Sequence, residues 1–110
     1  MSRRQDGRKA RAEINTSSSG NNTIISAPSS GHIEIDHLNF LPSGGANTII
    51  LRDGATQWVS YALDDSQGFT FDNTSGDNHI ELGETNAFVM NLSAATLVSG
   101  FVLYRVIGET

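Results

Sequence analysis

The sequence predicts an all-β fold, an antiparallel β-sandwich that is jelly-roll-like and has about eight strands. Short runs of β-branched and aromatic residues recur along the chain, and such residues suit a half-buried pleated surface. Turn-forming Gly, Pro, Asn and Asp residues separate these runs. No segment sustains a helical period, and the best helical candidate, residues 93–98, is too short to be stable alone.

Turn signals separate the predicted strands, for example at Pro28–Gly31, Pro42–Gly45 and Asp53–Gly54. In the second strand the apolar alternation slips near Asp36 and His37, which predicts a β-bulge. The eight strands are expected near residues 22–27, 32–40, 46–52, 56–62, 67–72, 78–82, 86–92 and 97–107.

The last predicted strand, 97–107, is apolar on both of its faces over most of its length. Phe101 and Leu103 share one face, and Tyr104 lies on the other. A strand of this kind is central in its sheet or is covered by a partner chain. Phe101, Leu103 and Tyr104 are therefore candidate subunit-interface residues.

Charge is distributed unevenly along the chain. Residues 1–13 carry five basic and two acidic residues, whereas residues 14–110 carry two basic and ten acidic ones. We expect residues 1–21 to form an extended basic arm and linker, followed by a sandwich domain over 22–110. Arginine pairs readily with carboxylates across an interface, so the arm is predicted to bind a partner protein. Its predicted binding residues are Arg3, Arg4, Arg8, Lys9 and Arg11.

Several classes of partner are disfavoured by composition. The acidic body argues against a nucleic-acid partner. The chain has no Cys, which excludes disulfides and zinc-thiolate sites. It shows no secretory signal and no apolar run of about 20 residues, so we expect no membrane partner and synthesis in a cytoplasm.

The sequence predicts no catalytic residues, no cofactor and no metal site, because no nucleophile–base pair or phosphate-binding loop is recognisable. His32, Glu34 and Asp36 share a strand face that could hold a divalent cation, but a solvated strand face is the favoured interpretation. Trp58 and Tyr61 form a candidate sugar-binding platform, although a tryptophan is more often buried.

Two runs of the chain carry a resemblance to a known group of proteins. The first combines Asn91–Ala95 with a final strand that follows Val98–Gly100 and contains Tyr104. The second is the hairpin Ile33–Arg52. Together they resemble small β-sandwich virion proteins of tailed bacteriophages, of the head-decoration or cement type. The resemblance implies a capsid-surface role, often as a trimer.

We therefore predict a non-enzymatic phage virion protein, a capsid decoration protein that binds the head surface as an oligomer and stabilises it through its arm. The expected partners are the major capsid protein, or another shell protein, and copies of the chain itself, as a trimer. The expected location is the phage head surface, after synthesis in the host bacterial cytoplasm. The alternative is a tail or fibre module that recognises host-surface glycans.

Overall fold

In a computed structural model, which describes residues 10–72 and 80–108, the predicted all-β sandwich is confirmed. Two antiparallel sheets pack face to face, and the described residues contain no helix. The strands are β1 (Ala10–Thr16), β2 (Gly20–Ile25), β3 (His32–Ser43), β4 (Asn47–Asp53), β5 (Thr56–Leu63), β6 (Phe69–Asp72), β7 (Ile80–Glu81), β8 (Phe88–Leu92) and β9 (Leu97–Ile107).

Strands near the start of the described chain pair with strands near its end, and the inner strands pair with one another. One sheet has the order β1-β9-β3-β6, with β7 also paired to β3, and the other has the order β2-β8-β4-β5. Thus β1 pairs with β9, β2 with β8, β3 with β6 and β7, and β4 with β5, all antiparallel. This nested pairing brings strands that are distant in the sequence together in one antiparallel β-sandwich.

The first strand occupies part of the segment for which the sequence predicted an arm and linker. In β1, Ala12 and Ile14 alternate with Arg11, Glu13 and Asn15, and Ile14 is fully buried. A strand needs only one apolar face, so one isoleucine and one alanine suffice when the strand lies at the end of a sheet. Because charged residues occupy the other face, this short period-2 pattern was not recognised as a strand from the sequence.

The core lies between the two sheets and consists of large apolar side chains from both. Its central members, all nearly inaccessible to solvent, are Ile14, Ile33, Ile35, Leu38, Phe40, Ile49, Leu51, Phe88, Met90, Leu92, Val98 and Val102. Because β9 lies between β1 and β3, its apolar character reflects the predicted central position in the sheet.

Irregular pairing affects three strands. The register of β3 against β9 shifts between Ile35 and His37, which confirms the predicted bulge and makes Asp36 the extra residue. A similar shift leaves Trp58 of β5 without a partner across β4, and another lies in β2 between Thr23 and Ile25. A bulge redirects the side chain at the extra position, and two of these side chains are discussed below.

Candidate functional site

The most distinctive described surface is the solvent side of β3 and β9, here called the β3–β9 face. Side chains alternate across these strands, so the residues next to the buried Ile33, Leu38 and Val102 point outward. The β3–β9 face comprises His32, Glu34, His37, Asn39, Phe101, Leu103 and Arg105.

The centre of the β3–β9 face is aromatic and its rings are held in place. The rings of His37 and Phe101 stack with centroids 5.1 Å apart. Asn39 lies 2.9 Å from His37 Nε2 through its Nδ2, and its Oδ1 accepts a hydrogen bond of 3.3 Å from the backbone N–H of Phe101. Asp72 Oδ1 of β6 lies 3.3 Å from the other ring nitrogen of His37. These contacts pre-orient a half-exposed aromatic patch beside Leu103.

An ion pair adjoins this patch. Arg105 donates from Nε to Asp36 Oδ2 at 2.8 Å and from Nη2 to Asp36 Oδ1 at 2.9 Å, so the contact is bidentate. Asp36 is only 3% exposed. The hydrogen bond to Asp36 raises the pKa of Arg105 above its ordinary value, and the nearby charges of Asp36 and Glu34 act in the same direction. The guanidinium therefore remains charged at every pH at which the protein would be handled.

Beyond Arg105, three ionisable side chains converge. His32 Nε2 lies 3.0 Å from Glu34 Oε2 and 3.4 Å from Glu81 Oε2. Glu81 belongs to β7 and stands directly opposite Glu34 in the register. The sequence had grouped His32 and Glu34 with Asp36, whereas the structure pairs Asp36 with Arg105 and brings Glu81 to His32 instead.

Of the predicted arm residues, Arg11 is the one that lies within the described residues. It is exposed on β1, directly opposite Leu103 of β9. Its side chain thus borders the β3–β9 face. The other four, Arg3, Arg4, Arg8 and Lys9, lie outside the described residues.

The three candidate interface residues do not share one surface. Phe101 and Leu103 are half-exposed on the β3–β9 face. Tyr104 points to the other side of the sheet, where it packs against the buried core. The alternation of β9 places Tyr104 on the inner face together with Val102.

The two candidate platform residues pack toward other aromatic rings of the sandwich. Trp58, the extra residue of its bulge, is half-buried and stands edge-on to Phe88 with centroids 6.3 Å apart. Tyr61 lies over Phe69 with centroids 4.3 Å apart. Both side chains adjoin the hydrophobic core. The platform stays a prediction, with both rings half-buried.

Sequence reasoning did not identify two asparagines that order this part of the structure. Asn39 orders the β3–β9 face, and Asn47 orders the loop between β8 and β9. Asn47 is 4% exposed, and its Oδ1 accepts from the backbone N–H groups of Ser93 and Ala94. Its Nδ2 donates to Ala94 O and Thr96 Oγ1. An Asn at the first position of a strand after a Gly-Gly turn is the signal that could have identified this anchor.

The fold and the β3–β9 face define a class of protein, a small antiparallel β-sandwich with a structured, partly apolar outer sheet surface. Within residues 10–72 and 80–108 no helix is long and apolar enough to cross a membrane. No protein-family model matches the chain. No curated protein sequence matches it significantly either.

Comparison with solved structures finds a similar chain in the structure titled "Acidic stable capsid structure of Helicobacter pylori bacteriophage KHP30". The TM-score is 0.61 at 14% sequence identity, and the match covers 100% of this chain and 98% of the other. The two chains therefore share a fold over their whole lengths, with little sequence in common.

Proposed function

We propose that this chain is a structural component of a tailed-phage virion, a capsid decoration protein that binds the outer head surface as a trimer. The observation that carries the proposal is the end-to-end match to a chain of a phage capsid structure. The match covers both chains almost completely, so the whole chain, and not one part of it, has the fold of the capsid-structure chain. The role is non-catalytic.

The β3–β9 face supplies the contact surface in this proposal. Protein interfaces combine a partly apolar centre with a polar rim, and aromatic residues and arginine are enriched in them. Phe101 and Leu103 provide the apolar centre, while Arg11, Glu34 and Arg105 provide charges around it. The stacking of Phe101 on His37 limits the side-chain entropy that is lost on binding.

The basic residues that precede β1 provide the second contact. They join the sheet at Ala10, beside the β3–β9 face, and the β1 edge that faces away from β9 is the end of the described sheet. In the proposed complex the arginines pair with carboxylates on shell subunits. Three arms on one trimer act at high effective concentration, so weak individual contacts add up to firm attachment.

The alternative, glycan recognition at a tail or fibre, receives less support. Its candidate platform residues, Trp58 and Tyr61, are half-buried and each has an aromatic neighbour, Phe88 and Phe69 respectively. We therefore favour the decoration role.

Co-sedimentation with purified empty shells of the virus that encodes the chain tests the proposal. The full chain should pellet with the shells in a saturable manner and raise the temperature at which they break. Deletion of residues 2–9, or the change Leu103→Ser, should weaken pelleting at least about tenfold, in keeping with the weight of central interface residues.

A matched control is Ile50→Ser, which removes an outward-facing apolar side chain from the opposite sheet. It should bind like the unmodified chain. Absence of pelleting by the full chain, or equal loss in all three variants, would contradict the proposed function. Native mass spectrometry of the free and shell-released protein determines whether the oligomer is a trimer.

A further inference from the structure

We propose that His32, Glu34 and Glu81 form a binding site for a divalent transition-metal cation of the Zn²⁺ type. The three side chains lie at one end of the five-stranded sheet, and their ligand atoms are all within 4.8 Å of one another. The site shares His32 and Glu34 with the β3–β9 face, but its test does not involve shells.

The backbone alone brings these residues together. His32 and Glu34 are two positions apart on β3, so both point to the same side of the sheet. Glu81 is directly opposite Glu34 across the short β3–β7 pairing, so its side chain also points to that side. Three potential ligands thus converge without any help from a flexible loop.

The distances fit a common cation. Donor atoms that bind zinc at about 2.0–2.2 Å in a tetrahedral arrangement lie about 3.3–3.5 Å from one another. His32 Nε2 is 3.4 Å from Glu81 Oε2, which lies within this spacing, and 3.0 Å from Glu34 Oε2, which is slightly shorter. Small rotations of the glutamate side chains, whose terminal torsions are soft, would place all three atoms around one ion.

Charge favours a cation at this position. Acidic residues directly opposite each other on neighbouring strands repel, and Glu34 faces Glu81 in this way. A divalent ion held between the His32 imidazole and the two carboxylates would reduce this repulsion.

The donor set selects the class of ion. One imidazole nitrogen with two carboxylate oxygens suits Zn²⁺, Co²⁺ or Ni²⁺, whereas Ca²⁺ and Mg²⁺ prefer oxygen ligands throughout. Three protein ligands leave a fourth tetrahedral position, and the Glu81 side chain is 58% exposed, so water can complete the site. The bound ion would tie β7, which contributes only two residues to the sheet, to β3.

The test is metal binding by the full chain after treatment with a chelator. Isothermal titration with ZnCl₂ should show one ion per chain, and Zn²⁺ should raise the melting temperature where Mg²⁺ does not. Co²⁺ in place of Zn²⁺ should give the strong visible absorption of a tetrahedral site. Glu81→Gln and His32→Gln should each weaken Zn²⁺ binding at least about tenfold, because even groups behind metal ligands contribute about 10–100-fold.

The matched control is Glu84→Gln, an exposed acidic residue of the same segment that lies outside the cluster. It should bind Zn²⁺ with unchanged affinity. No uptake by the unmodified chain would overturn the proposal, and so would uptake that both cluster variants retain. A loss of affinity in Glu84→Gln as large as in Glu81→Gln would also overturn it, since general surface charge would then explain the binding. Circular dichroism of each variant excludes unfolding as the cause, and Glu81→Gln, at an exposed position, is the variant that best preserves the fold.

Discussion

Arg105 donates hydrogen bonds of 2.8 and 2.9 Å to the two carboxylate oxygens of Asp36, the extra residue of the β3 bulge. Without the bulge, strict alternation after the inward-facing Ile35 would point residue 36 to the solvent side of the sheet, the side of His32 and Glu34. The bulge turns its carboxylate toward β9, and the guanidinium allows the charge to be nearly inaccessible to solvent.

Replacing Arg105 with Met should therefore destabilise the fold by about 3 kcal/mol, since it leaves a buried carboxylate without its partner. The double change Asp36→Leu with Arg105→Met should recover most of this loss. Urea unfolding followed by Trp58 fluorescence measures both values. Arg11→Met, at an exposed position on β1, is the control and should change stability by less than about 0.5 kcal/mol.

The pH dependence of this pair has a definite sign. Because the folded-state pKa of Arg105 is raised by Asp36, its stabilising effect is fully present below the ordinary arginine pKa. It is lost only as the pH rises through the raised value. Unfolding free energies measured from neutral to moderately alkaline pH should therefore show no step that Arg105→Met removes, and such a step would contradict this assignment.

Asn47 should be among the most sensitive polar positions of the chain. Its side chain bonds Ser93, Ala94 and Thr96, and it fixes the loop between β8 and β9. Asn47→Ala should cost about 3 kcal/mol, because several partly buried loop groups lose their partner at once. Asn21→Ala, which removes one exposed hydrogen bond to Asn91, should cost less than about 0.5 kcal/mol in the same urea titration.

Gly100 allows β9 to approach β3 closely. Its φ is +158°, and an added Cβ would lie 2.0 Å from the carbonyl oxygen of Asn39. Since that atom belongs to the backbone of a central strand, Gly100→Ala should destabilise the fold by about 3 kcal/mol. Gly68→Ala is the control, because nothing lies within 4 Å of its Cβ position. Equal melting temperatures for the two variants would refute the predicted clash.

Ile14 is the first residue of the chain whose side chain belongs to the described core of the sandwich. The side chain is fully buried, so Ile14→Ala should cost about 3 kcal/mol. Deletion of residues 2–9 should leave the melting temperature within about 2 °C, because a change below about 0.5 kcal/mol moves it no further. A large drop after the deletion would show that these residues contribute to the fold itself.

Much of the fold was predictable from local chemistry. The turns and β-branched runs place the strands to within a few residues, and the phase slip at Asp36 and His37 predicts the bulge that the structure contains. The strand β1 was not predicted, because Ile14 is its one large apolar residue and charged residues precede Ile14 in the strand. A single apolar residue carries too little periodic signal, and only the pairing with β9 makes it a strand.

The candidate site was less predictable, because it depends on which strands become neighbours. Glu34 and Glu81 lie far apart in the sequence, and only the β3–β7 register makes them face each other. Likewise the sequence did not show that a bulge at Trp58 breaks the alternation of β5, or that Phe88 and Phe69 would lie against Trp58 and Tyr61. Spacing along one strand is visible in a sequence, but pairing between distant strands is not.

The nested pairing also constrains how the molecule reaches its native state. Within the described sheets the first strand has one neighbour, β9, which is synthesised after all the other described strands. During synthesis β1 therefore remains unpaired, with its backbone donors and acceptors bonded to water, until β9 has also emerged from the ribosome. Such long-range closure predicts slow folding and a period in which nascent copies are vulnerable to cross-pairing with one another.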